Sequence, residues 1–221
     1  MILFLLFGIV GYVIFSNFTF PRERISHQVY LMFILGGIAA NYYQANEKNG
    51  NRIPATALLA VGIPIGLFSL WLGMTRFQSE MEIRKVLIAQ AENRHQDVIK
   101  RVEKAYSPYY TIDASVTPLK FYSGSAHFFL GNYEEAVRDF DLTLKDHPTY
   151  IGATLNKGNC LYQLGRFEEA ETAFTAVVES NTKFVPQAWF NRGMTRVSLR
   201  NREAACDDFE MADKLGYEQA K

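Results

Sequence analysis

The sequence predicts an all-α chain in which N-terminal transmembrane helices lead into a solenoid of helix pairs. Two observations carry that prediction. Over residues 1–75 the only charged side chains are Arg22, Glu23, Arg24, Glu47, Lys48 and Arg52, so nearly all of the 23 basic and 23 acidic residues fall later in the 221-residue chain. Further on, the same landmarks return at a fixed interval: Gly124, Gly158 and Gly193, Ala136, Ala170 and Ala205, and Phe140, Phe174 and Phe209 are each spaced by 34 and then 35 residues. Basic and acidic side chains balance, which leaves no electrostatic footprint for nucleic acid.

The first apolar run, residues 1–16, is free of charge and at 1.5 Å per residue nearly crosses a hydrocarbon core about 30 Å thick. It lacks the basic start and the small-residue cleavage site of a signal peptide. The second run, 29–40, is shorter. The third, 53–74, is long and uncharged; Gly62 and Gly66 form a GxxxG that permits close helix contact, with Pro64 between them to bend the helix. Trp71, Arg76 and Phe77 have the character of interfacial anchors. Three spans put Lys48 and Arg52 on one side, and Arg22, Arg24, Arg76, Arg84, Lys85 and Arg94 on the other. By that local count alone the C-terminal part is cytoplasmic.

Residues 78–117 read as a degenerate helical repeat and a linker. Asn93, Val98, Val102 and Ala105 take the loop, small and large positions of a helix pair. Val98 precedes Ala136 by 38 residues, and the excess over 34 falls in the loop YSPYYTIDASVTP, which is expected to pack as an ordered connection against the first full repeat.

Residues 118–221 hold about three repeats. GNYEEAVRDF, GRFEEAETAF and RNREAACDDF align without a gap. The period of 34 with this Gly, Ala and Phe pattern resembles the tetratricopeptide repeat, a pair of antiparallel helices that stacks into a superhelix. In that reading Gly124, Gly158 and Gly193 let the first helix approach its neighbour, the three alanines sit at close crossings, and the three phenylalanines fill the space left. Pro148 and Pro186 interrupt the helical pattern between units. The segment KLGYEQAK is expected to begin a further helix.

Few residues point to chemistry. The pairs Glu134–Glu135, Glu168–Glu169 and Asp207–Asp208 fall at the start of second helices, where carboxylates favour the helix dipole and face water. The four histidines have no ligand spacing, so neither metal nor cofactor is expected. Cys160 and Cys206 read as buried free thiols. No phosphate-binding glycine loop or hydrolase motif occurs, and an active site wholly inside the chain is not expected.

The repeats offer a concave face lined by first helices. The tetratricopeptide resemblance implies a groove of Phe121, Tyr122, Ser125, Phe128 and Phe129 from the first unit. Leu155, Asn156, Asn159, Tyr162 and Gln163 follow from the second, and Phe190, Asn191 and Met194 from the third. Asn156 and Asn191 occupy the same place in successive units. They are expected either to bond an extended peptide backbone or to make a hydrogen bond within their own helix or between helices. A clamp for a terminal carboxylate would need a lysine near Leu155.

Taken in order, SNFTFPRER, the two later spans and SPYYTIDASVTPLKFYSGSAHFFLGNYEEA resemble the C-terminal portion of bacterial O-antigen ligase or polymerase-like membrane proteins. That resemblance implies repeats outside the cytoplasm, at the bacterial inner membrane, and contact with a glycan-assembly protein. It also implies a reaction whose catalytic loop is not among these residues. The expected function is therefore protein–protein interaction by a membrane-anchored repeat protein of envelope glycan assembly, the alternative being a fragment of the transferase itself.

Overall fold

The computed structural model describes residues 55–180 and 185–220. The chain divides into two compact units, Met1–Phe77 and Gln78–Lys221. The spans expected at 1–16 and 29–40 lie outside the described residues. Helix α1 covers Ala55–Ala91, with Pro64 inside it.

Among the described residues no helix is long and apolar enough to cross a membrane. This corrects the expectation of an integral protein of the bacterial inner membrane with extracytoplasmic repeats, and leaves the expected N-terminal transmembrane helices without support. The physical reason lies in α1, which does not end with its apolar run. The helix continues through Arg76, Glu80, Glu82, Arg84 and Lys85.

In the second unit the end of α1 shares a buried cluster with α2 (His95–Ala105), Ile83, Val86 and Ala89 lying with Val98, Val102 and Ala105. Three further pairs follow: α3 (Leu119–Phe129) with α4 (Tyr133–Asp146), α5 (Ile151–Gln163) with α6 (Phe167–Glu179), and α7 (Val185–Ser198) with α8 (Arg202–Lys214). Each helix from α2 to α8 packs on the next, and the first helices also meet across repeats, α3 with α5 and α5 with α7. The pairs share one turn. Asn93, Gly131, Gly165 and Arg200 adopt φ of 56°, 77°, 74° and 63°. The following N–H groups of Arg94, Asn132, Arg166 and Asn201 donate to the carbonyls of Ala89, His127, Leu161 and Arg196 at 2.8 to 2.9 Å. This left-handed cap satisfies carbonyls that a helix end would otherwise orphan.

Packing inside each pair explains the repeated glycine. A Cβ on Gly124, Gly158 or Gly193 would stand 2.8, 2.6 or 2.7 Å from the ring of Phe140, Phe174 or Phe209. The ring of the second helix lies directly on the backbone of the first. Phe140 and Phe174 are thereby 0% and 1% exposed, and burial of a ring contributes about 1.5–3 kcal/mol. The pair made by α1 and α2 solves the same packing differently. Val86 and Val102, both fully buried, have the sequence separation of Gly124 and Phe140, so two middle-sized side chains replace one ring and none. Ala136, Ala170 and Ala205 are buried, as close crossings require.

The connection 106–118 is ordered around Asp113. Its Oδ1 accepts from the N–H groups of Ser115 and Thr117 at 2.8 and 2.9 Å, and its Oδ2 accepts from the Tyr122 hydroxyl at 2.7 Å. Tyr106 donates to Asp146 at 2.7 Å. These bonds fasten the connection to α3 and to the end of α4. At the other end the expected further helix is only a short 3-10 turn, Glu218–Ala220. The Tyr217 ring beside it covers Phe190, with centroids 5.3 Å apart.

Two readings of surface residues are corrected. Asp208 is fully buried rather than solvated: its carboxylate accepts from Arg192 at 2.8 and 3.0 Å and from Arg196 at 3.0 Å. Arg196 in turn donates to Glu171 at 2.6 Å, and Arg192 to Thr175 at 3.2 Å. The network thus stitches α6, α7 and α8 together. Cys206 is exposed, because only Cys160 falls on an inward-facing position.

Candidate functional site

Residues three and four apart share a helix face. On α5 this brings Asn159, Tyr162 and Gln163 to one side, and on α7 it does the same for Asn191 and Met194. These two faces border a cleft of about 200 Å³, closed by the rings of Phe128 from α3 and Phe174 from α6. Phe128 is braced edge-on by Tyr133 at 5.6 Å, and Tyr162 by Phe167 at 5.4 Å. Each brace comes from the second helix of the same pair, so the aromatic walls are set by the repeat itself.

The polar part of the cleft is joined across repeats. Asn191 Nδ2 donates to Asn159 Oδ1 at 2.8 Å. That is the inter-helix bond weighed for such an amide, though its partner is Asn159 and not the equivalent Asn156. After this bond Asn159 still has two amide protons and Asn191 still has its carbonyl oxygen. A second link runs from Ser198 Oγ to the Tyr162 hydroxyl at 3.5 Å. Gln163 and Met194 are exposed at the rim. Among the described residues no charged side chain lines the cleft.

The remaining expected groove residues are placed elsewhere. Tyr122 is buried and holds Asp113; burial, and then that hydrogen bond, push its phenol well above the usual range. Phe129 is 69% exposed and stacks on His95 at 5.0 Å, toward α2. Ser125 and Asn156 are half-buried and do not line the cleft. Phe121, Leu155 and Phe190, equivalent positions in the three repeats, face inward. Phe121 packs on Phe140 and Tyr150, Leu155 is 3% exposed, and Phe190 packs on Phe209.

Sequence reasoning missed Phe174 as part of the cleft, having assigned it to the core alone. It also missed the Arg192–Asp208–Arg196 network. The signal for the latter was present in two arginines spaced i, i+4 on α7, a first helix whose buried residues besides Arg192 are Ala188, Gly193 and Thr195. Cys160 is a core residue whose thiol is pushed up to about 12 by burial, which leaves it without nucleophilic character near neutral pH.

Residues 123–183 and 155–216 each match the tetratricopeptide repeat family. Among solved structures, MamA is similar at 17% identity and a TM-score of 0.57, covering 64% of this chain and 80% of that one. YrrB, described as a tetratricopeptide-repeat protein with an unusual peptide-binding site, is similar at 17% identity and a TM-score of 0.54, covering 80% of this chain and 93% of that one. At such identities the likeness is one of fold. None of these matches supports the resemblance to O-antigen ligase or polymerase-like proteins, or a glycan-assembly partner.

Proposed function

We propose, from the match of residues 123–216 to the tetratricopeptide repeat, a protein-interaction fold, that the chain holds a peptide segment of a partner protein in the cleft between α5 and α7. The observation that carries the reading is the convergence of Asn159, Gln163, Asn191 and Met194, drawn from two repeats, on one aromatic-walled cleft. Rings supply apolar contact with little entropy to lose, and the amides supply hydrogen bonds that orient a backbone. Asn156, Ser125, Tyr122 and Phe129 lie outside this contact surface and have no role in the proposal.

The reading is tested by panning a displayed peptide library on the immobilised full chain and re-measuring the selected peptides on two variants. Met194→Lys, which places a charge at the rim, is expected to weaken them about tenfold or more, equivalent to about 1.4 kcal/mol. Glu210→Lys, on the exposed side of α8, is expected to leave them unchanged. Equal binding by all three proteins would move the contact away from the cleft.

A further inference from the structure

The hydrogen-bonding capacity left in the cleft defines the kind of segment it takes, an inference that rests on the reading just given. We propose that the cleft binds an internal, uncharged peptide segment in extended conformation, which sets one large apolar side chain among Phe128, Tyr162 and Met194 while Asn159 and Asn191 read its backbone.

The amide pair is the first ground. With one proton of Asn191 Nδ2 committed to Asn159 Oδ1, Asn159 keeps both of its amide protons, and Asn191 keeps its carbonyl oxygen and its second proton. One residue of an extended chain presents the complement, a carbonyl and an N–H. Each amide is fixed by the other before the peptide arrives, so little ordering is left to binding.

Charge is the second. The cations carried by α5 and α7 are Lys157, Arg192 and Arg196, and all three are taken. Lys157 pairs with Asp141 at 2.5 Å, Arg192 with Asp208 at 2.8 Å, and Arg196 with Glu171 at 2.6 Å and Asp208 at 3.0 Å. Among the described residues that line the cleft there is no cation to meet a terminal carboxylate or an acidic side chain, so its entry is unfavourable. The segment is therefore uncharged and is recognised away from its C-terminus.

Size is the third. The cleft of about 200 Å³ lies below the about 300 Å³ at which small-molecule pockets begin. It is on the scale of one large side chain, and Met194 at its rim can adjust to the shape of that side chain.

Two heptapeptide libraries separate this proposal from the broader one. The first is blocked at both ends and free of Asp, Glu, Lys and Arg; the second is acidic and ends in a free carboxylate. With the full chain, binders are expected from the first, with a large apolar residue at one fixed position. Their affinity should change less than about twofold between low and high salt, since no ion pair is there to be screened. Asn159→Asp, which removes the donor and adds a charge at constant size, should weaken them about tenfold or more, with circular dichroism confirming the fold. Gln163→Lys, exposed and harmless to packing, should transfer preference toward the acidic library. Binders drawn only from the acidic library, or affinity that falls about tenfold with salt, would overturn the proposal and leave peptide binding standing. No binder from either library would overturn both.

Discussion

A Cβ placed on Gly158 would stand 2.6 Å from Cε1 of Phe174, and equally close to no backbone atom. The repeated glycine is therefore a seat for the ring of its own partner helix, not a hinge. Gly158→Ala is expected to force that fully buried ring out of its position and to destabilise by about 1–3 kcal/mol, as overpacking does. Urea unfolding of the variant measures it. A stability within error of the parent would mean that Phe174 can step aside at no cost, and that the glycine has another reason.

Arg200 holds the left-handed turn position that Gly131 and Gly165 hold in the two preceding repeats, at φ 63°. Its Cβ opposes that conformation by about 1–2 kcal/mol. Arg200→Gly should recover part of that, a gain of about 0.5–1 kcal/mol after the extra freedom of glycine in the unfolded chain is set against it. Thermal unfolding would show the rise directly, and a fall would contradict the shared turn.

Asp208 and Arg192 are almost wholly buried as a pair, with side chains 1% and 9% exposed. Asp208→Ala leaves two guanidinium groups facing an apolar position, and breaking such a pair costs about 3–5 kcal/mol. Replacing Arg192, Arg196 and Asp208 together with apolar residues of similar volume should restore most of that loss. The comparison of single and triple variants in urea decides whether the network contributes stability through its charges or only satisfies them.

Cys160 gives a pH dependence of defined sign. Its thiol is raised from 9.0 to about 12 in the folded chain, by burial, so the folded state binds its proton more tightly than the unfolded state does. The contribution is complete below the unfolded value and is lost as pH rises from about 9 toward about 12. Between pH 8 and pH 10 the parent should therefore lose roughly 1 kcal/mol more stability than Cys160→Ala. Buried tyrosines titrate in the same direction in both proteins and cancel. In the folded parent, Ellman's reagent should modify exposed Cys206 and spare Cys160; rapid reaction of both thiols would show that α5 is not packed as described.

The repeat was legible because its landmarks are local. Gly, Ala and Phe return together only if each unit folds the same way, and a helix pair fixes which neighbour each of them meets. In the pair before the repeats, Val98 and Val102 are buried like Ala136 and Phe140, at the same spacing. The cleft was legible in part. Asn159, Gln163, Asn191 and Met194 are residues that the tetratricopeptide resemblance implied for the groove, whereas Tyr122 is turned away because the residue that claims its hydroxyl, Asp113, belongs to a connection outside the repeat pattern.

By itself the sequence determined the helix-pair repeat and its register, since periodic burial of small and large side chains admits one packing. Tertiary structure decided three things. α1 carries its charged half past the apolar run to Ala91; Asp208 turns inward to two arginines; and Asn191 meets Asn159 rather than standing free. Each depends on which side chains from different helices arrive within hydrogen-bonding or packing distance, and that is set by how the repeats stack, a quantity no single repeat contains.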